Sequence, residues 1–265
     1  LHHYIKQEDG LKLVNSKTGE DFTEKMLVFS NNFISSLGEV DGFILKTRSP
    51  TSALHDAKVY PTHGKVGPIA KSPGIFGKLV KEKFSNLPVE DEGRLKNFSI
   101  RENFLTKIYT FAEFRQVCHN PVIDKLVEFH TKNKLLFLSY NQELKNKMGH
   151  IIGEHKKGNI EETLKQYKEC FYKIFSKQAT YKNNINVLEH ALGYFKDKLT
   201  KQEKQYYLNC VENYREERTP LSVPVSLIKS WIIRFEQEYL AQQTFFSPYP
   251  QDLLEVSDSG KGRAR

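Results

Sequence analysis

The chain has 265 residues, 38% of them hydrophobic, which is enough for one large or two ordinary domains with a sizeable core and excludes a wholly disordered chain. Its formal charge of +8 comes from 40 basic residues set among 32 acidic ones, a mild bias toward anionic partners that excludes a polybasic tail as the main feature. No apolar run approaches the length of a bilayer span and no basic-then-apolar leader precedes a small-residue cleavage site, so a cytoplasmic protein without membrane contact is expected. Cys118, Cys170 and Cys210 are far apart and form neither a Cys-x-x-Cys pair nor a Cys/His knuckle, so reduced, buried thiols are expected.

Leu11-Lys12-Leu13-Val14 alternates like a short strand that Gly19-Glu20-Asp21 breaks. Asp21 with Glu24 makes a box-like helix start, and Phe22, Met26, Phe29, Phe33 and Leu37 recur at helical steps, predicting one buried stripe before Gly38. Phe43-Ile44-Leu45 reads as a strand covered on both faces. In an open, mostly parallel sheet a ligand gathers beyond the C-terminal ends of the strands, where Lys46 to Ala53 would lie. From Val59 to Asn97, Pro61, Pro68, Pro73 and Pro88 and several glycines interrupt one amphipathic segment, Ile75 to Phe84, which predicts a partly ordered junction.

Ser99 with Glu102 forms a second capping box, after which Phe104, Leu105, Ile108, Phe111 and Phe114 keep helical spacing. Helical patterning continues near Val122–Tyr140, Gln142–His155, Ile160–Ser176, Asn186–Leu199, Lys201–Glu217 and Val225–Gln243, with short connections, as in a bundle of six or seven helices. The tail Ser257–Arg265 is polar and expected to be disordered. The expected class is α+β overall: a partial α/β domain (1–60), a junction (61–97), an all-α helical domain (98–250) and a tail (251–265).

Several ordered motifs carry a family resemblance. Leu126-Val127-Glu128-Phe129-His130-Thr131-Lys132-Asn133-Lys134-Leu135-Leu136 and Asn186-Val187-Leu188-Glu189-His190-Ala191-Leu192-Gly193-Tyr194-Phe195-Lys196 resemble the two signatures of the YbgA-type domain of unknown function. Pro220-Leu221-Ser222-Val223-Pro224 and Tyr239-Leu240-Ala241-Gln242-Gln243-Thr244-Phe245 resemble its closing segment, so the likeness runs from about Arg101 to Pro250. Lys17 to Met26, Val40 to Ala53 and Leu87 to Leu95 resemble the second half of 2-thiouracil desulfidases. That likeness implies a preceding half with two cluster cysteines and a catalytic acid. The chain starts with Leu1, and its first dozen residues read as the middle of a domain, which fits a fragment, an engineered truncation or an unusual start codon.

In intact relatives the resemblance implies a 4Fe–4S cluster that takes sulfur from a thiolated pyrimidine, with a loop serine assisting. Ser49 matches that serine as the catalytic candidate, and Ser52 stands where the third cluster cysteine is expected. A hydroxyl stays protonated near neutrality and is a poor donor to cluster iron. No cofactor and no metal site is therefore expected in this chain. His130 with Lys134, and His190 with Lys196, are candidates for holding a thiopyrimidine, a nucleotide or another anionic small molecule. Their competing role is to bridge helices through hydrogen bonds. His150 and His155 are expected at the surface, Asn186 as an N-cap, and the aromatics Tyr194, Phe195, Trp231, Phe235 and Tyr239 mainly in the core. Between His130 and Lys182, 11 lysines face 5 acidic residues, which raises nucleic-acid backbone as an alternative partner.

Overall fold

The computed structural model describes residues 2–8, 10–62, 66–156 and 159–253. Two compact units divide the chain, one reaching Phe111 and the other running from Ala112 to Leu254. The expected tail, Ser257–Arg265, lies outside the described residues.

In the first unit β1 (His2–Gln7) and β2 (Gly10–Asn15) form an antiparallel hairpin, with Tyr4 opposite Leu13. Gly10 has φ +130°, a conformation that side chains disfavour, and so lets the chain reverse within a short turn. α1 (Thr23–Ser36), β3 (Phe43–Leu45), β4 (Ala57–Tyr60), β5 (Ala70–Ser72), α2 (Ile75–Lys83) and β6 (Val89–Asp91) follow. β4 pairs parallel to β1 and antiparallel to β5, giving the order β2-β1-β4-β5, while β3 and β6 form a separate parallel pair. The main sheet is thus mixed rather than mostly parallel: tight reversals force antiparallel neighbours, and only connections long enough to cross over produce the parallel pairs.

Tyr4, Leu13, Ala53, Ala57, Val59 and Ile75 form the core here, with Phe22, Met26, Leu27 and Leu79 packed against it. The stripe predicted for α1 is rotated. Ser30 and Ile34 are its buried positions, whereas Phe29 is 61% and Phe33 43% exposed, stacked on each other with ring centroids 6.2 Å apart. Asp21 does not complete a capping box, because its carboxylate accepts from the Thr23 N–H at 2.8 Å while Phe22 occupies the N-cap.

α3 (Phe98–His119) runs through the boundary between the units. Its first turn is capped by Asn97, whose side-chain oxygen accepts from the Ile100 N–H at 3.0 Å, two residues ahead of the Ser99 box read from the sequence. Asn97 is buried, so the cap also satisfies a donor that water could not reach.

The second unit continues with α4 (Ile123–Tyr140), α5 (Gln142–Gly153), α6 (Ile160–Ile174), α7 (Tyr181–Gly193), α8 (Lys201–Arg215), α9 (Ser222–Arg234) and α10 (Glu238–Ala241). Phe114, Phe129, Phe137, Tyr167, Phe171 and Phe175 interlock in one aromatic core. A second cluster joins Phe195, Tyr207 and Trp231. α8 starts with a complete capping box between Thr200 and Glu203. The predicted helix Val225–Gln243 is interrupted after Arg234, where Glu236 takes φ +49° before α10 begins.

Two of the sequence motifs meet at α4. The Gln243 side chain accepts from the Leu135 N–H at 3.0 Å and donates to the Thr131 carbonyl at 2.8 Å, the two groups that an uninterrupted helix pairs with each other. Thr244 adds a hydroxyl contact to the Asn133 side-chain oxygen at 2.7 Å. The buried amide of Gln243 therefore enters the hydrogen-bond ladder of α4, a recognised cause of local helix distortion.

Candidate functional site

Two neighbourhoods hold the residues singled out from the sequence. The first is the loop after β3, in the first unit. β3 and β6 are parallel and end together at Leu45 and Asp91, so the segments that follow, Lys46–Ala53 and Glu92–Arg94, leave the same edge. Glu92 binds this edge together. Its carboxylate accepts from the Thr47 N–H and the Thr47 hydroxyl, both at 2.8 Å, and pairs with the Lys46 ammonium at 2.8 Å. Burial pushes the Glu92 carboxyl up, but these donors outweigh it and hold it down at about 2.

Ser49 faces inward to its own turn. Its hydroxyl accepts from the Thr51 N–H at 3.3 Å and the Ser52 N–H at 3.2 Å and shares a 2.9 Å bond with the Thr51 hydroxyl. The start of α2 closes over the loop: Gly74, Ile75 and Phe76 donate their N–H groups to the Ala53, Pro50 and Thr51 carbonyls at 2.8, 3.3 and 2.7 Å. Those donors, which a helix start can offer to an anion, are here spent on protein oxygens. Gly74 and Gly77 allow the approach, because a Cβ on either would overlap the backbone of Thr51 and Ser52, or of Ala53. Arg48, at φ +59°, is held by its N–H to Asp56 at 2.7 Å. Ser52 is half-buried and its hydroxyl takes no partner among the described residues.

The second neighbourhood is the packing of α4 on α5 and α6 in the helical unit. His130 is only 9% exposed, and its Nδ1 lies 3.1 Å from the Tyr167 hydroxyl. Burial, with Lys134 and Lys145 adding to it, pulls the imidazole down to about 4, so it is neutral at physiological pH. Burial also lowers the Lys145 ammonium, with Lys134 contributing. Lys134 is exposed on α4, one turn beyond His130.

His190 and Lys196 are both exposed, at the end of α7 and just past it. Asn186 lies inside α7 rather than at its start, since Thr180 is the cap, accepting from the Asn183 N–H at 3.2 Å. His150 is exposed, while His155 is half-buried with Nδ1 2.9 Å from the Thr163 hydroxyl. Phe195 and Trp231 are buried, and Tyr194 stacks on Tyr239 with centroids 5.5 Å apart. None of the three cysteines is in a disulfide; Cys170 and Cys210 are buried, and Cys118 borders an open groove of about 550 Å³ whose Lys165 and Lys168 are balanced by Glu161 and Glu169.

Residues 2–92 match the family described as 2-thiouracil desulfurase, and residues 134–250 match the one described as protein of unknown function, DUF1722. The chain joins a desulfurase-like region to a YbgA-like DUF1722 domain. A curated relative, the uncharacterized protein YbgA of Escherichia coli (strain K12), is 26% identical over 161 residues, which is 60% of this chain and 95% of that protein. No solved structure matches. Among the described residues no helix is long and apolar enough to cross a membrane.

The cluster implied by the desulfurase likeness does not fit the residues of the β3 loop. Its candidate donors are the hydroxyls of Ser49, Thr51 and Ser52, hard oxygens of which Ser49 and Thr51 already bond each other. Cys118, Cys170 and Cys210 all belong to the DUF1722-side unit, and no group of three or more His, Cys, Asp or Glu side chains suited to a metal ion occurs among the described residues. Sequence reasoning missed Glu92, Thr47, Tyr167 and Lys145. The parallel pairing of Val89-Glu90-Asp91 with β3 brings Glu92 to the loop from 45 residues away, and no local pattern announces such a contact.

Proposed function

We propose that these residues act as a binding protein for an anionic small molecule of the thiopyrimidine or nucleotide kind, with the DUF1722 domain as the binding part. By themselves they do not remove sulfur from thiolated bases. The oxygen-only donor set of the β3 loop, in which the Ser49 hydroxyl is committed to holding its own turn, supports the lack of desulfurisation, and the buried His130 with the exposed Lys134 one turn along α4 supports the binding role. Protonated hydroxyls donate too weakly to iron to replace thiolates. The desulfurase-like region then serves as a folded support, its strand-end loop sealed by Glu92 and by the start of α2.

The test is anaerobic reconstitution of the full chain with ferrous iron and sulfide, followed by metal analysis and incubation with 2-thiouracil and a reductant. The expected result is neither bound iron with sulfide nor uracil. Stoichiometric iron and sulfide together with turnover of the thiolated base overturn the proposal. Ser52→Cys, tested in parallel, asks whether a thiol at that position changes the outcome.

A further inference from the structure

Tyr167 determines which nitrogen of His130 carries the proton. The Tyr167 side chain is fully buried and burial raises it well above 10, so its hydroxyl keeps a proton that has to be donated somewhere. The partner it has among the described residues is His130 Nδ1, at 3.1 Å. Donation from the hydroxyl makes Nδ1 the acceptor, which places the imidazole proton on Nε2.

That Nε2–H is directed at α5. A Cβ built on Gly149 would be in van der Waals contact with Nε2, at 3.5 Å, so α5 packs against this edge of the ring and glycine keeps side-chain bulk away from it. Lys145 lies one turn before Gly149 on the same face of α5, and Lys134 lies one turn after His130 on the same face of α4. Both ammonium groups are near enough to bias the charge of His130, and Lys134 also biases Lys145. Neither has an acidic partner within ion-pair distance among the described residues, whereas Lys132, on another face of α4, is paired with Glu128 at 2.6 Å. The charged groups that act on the imidazole are thus two cations, with Tyr167 behind the ring from α6; the nearby Glu113 carboxylate acts on Tyr167 and accepts from the Asn133 amide, and it pairs with neither Lys134 nor Lys145 among the described residues.

A donor between two uncompensated cations matches a phosphate group, which presents several acceptor oxygens and close to two negative charges. We propose that His130 Nε2–H, Lys134 and Lys145 form a binding site for the phosphate of a small phosphorylated ligand of the nucleoside monophosphate kind. The proposal rests on the reading of the DUF1722 domain as the binding part, and it adds the group that is recognised and the residue, Lys145, that completes the site.

The experiment titrates the full chain with inorganic phosphate and with a nucleoside monophosphate by calorimetry and by nitrogen NMR of the imidazoles. In the free protein Nε2 of His130 should be the protonated nitrogen, and phosphate should raise the midpoint of its titration by offsetting the two lysines. Saturable binding should weaken about tenfold in Lys134→Gln and in Lys145→Gln, the loss expected for one charge-assisted hydrogen bond, and stay unchanged in Lys182→Gln on α7. A proton on Nδ1 in the unmodified protein, phosphate that fails to saturate at about 10 mM, or equal weakening by all three variants overturns the site. Binding of an unphosphorylated nucleoside with no response to phosphate also overturns it, while leaving intact the reading of the domain as a binding part. Recovery of iron and desulfurisation would overturn the other component of the proposed function without bearing on phosphate.

Discussion

The loop after β3 and the meeting of α4 with α5 are both rich in polar side chains, and they use them in opposite ways. In the loop, most polar groups apart from the Ser52 hydroxyl are consumed internally. Ser49 caps its own turn, Glu92 gathers Lys46 and Thr47, and the first N–H groups of α2 go to loop carbonyls. At α4 and α5 the Tyr167 hydroxyl fixes one imidazole nitrogen and leaves the other, with two lysines, uncompensated. The difference teaches that a motif rich in donors marks a ligand site only when the fold does not spend those donors on itself. Stabilising groups are paired; binding groups are kept waiting, at a cost in stability.

The sharpest way to break this contrast is acid. His130 titrates at about 4 when folded against an ordinary 6.5, so between those values the unfolded chain takes up the proton first. Stability is complete above 6.5 and falls as pH drops toward 4, by up to about 3 kcal/mol. Denaturant unfolding of wild type and His130→Gln across that window should show the slope in the former and its loss in the latter; parallel curves would remove the buried neutral imidazole from the argument. Next in size is Gly77→Ala. Alanine ordinarily favours a helix, yet here its Cβ would overlap the Ala53 carbonyl, so the substitution should destabilise the first unit by about 1–3 kcal/mol. A more stable variant would show that α2 does not clasp the loop. Smallest is the Glu92 effect, since about a third of the side chain is exposed and solvent screens its pairs. Its folded value, about 2, is below the ordinary 4.5, so its contribution is present above 4.5 and fades as pH falls toward 2. Glu92→Gln should flatten that part of the acid profile, and an unchanged profile would mean that Lys46 and Thr47 do not depend on it.

The helical half was largely legible because periodicity and caps are local. The reading of Val122–Tyr140, Gln142–His155 and Ile160–Ser176 differs from α4, α5 and α6 by one or two residues at their ends. α7 starts five residues before its expected Asn186, since Thr180 caps a first turn that has little apolar content. The first unit was less legible. β1 escaped notice although its partner β2 was read, because His2-His3-Tyr4-Ile5 lacks clean alternation and gains its meaning from pairing. α1 exposes Phe29 and Phe33, so spacing identified the helix but not its buried face. At the candidate sites His130 and Lys134 were found through their motif, whereas Tyr167, Lys145 and Glu92 depend on tertiary approach. His190 and Lys196, paired with them by motif alone, are exposed around the end of α7.

The amide of Gln243 has a practical consequence for anyone shortening this protein. It stands in for a backbone bond between Thr131 and Leu135, so α4 and the segment after α10 form one mechanical piece, although 108 residues separate Leu135 from Gln243. A cut-down version that starts at Lys134, where the DUF1722 match begins, would discard Thr131 and leave that amide reaching for a carbonyl that is no longer there. One that stops before Gln243 would return the broken rung to α4 and with it alter the helix that carries His130 and Lys134. Excised domains should therefore keep both ends, and comparing them with the full chain will reveal how much of the shape of α4 is borrowed from its distant clasp.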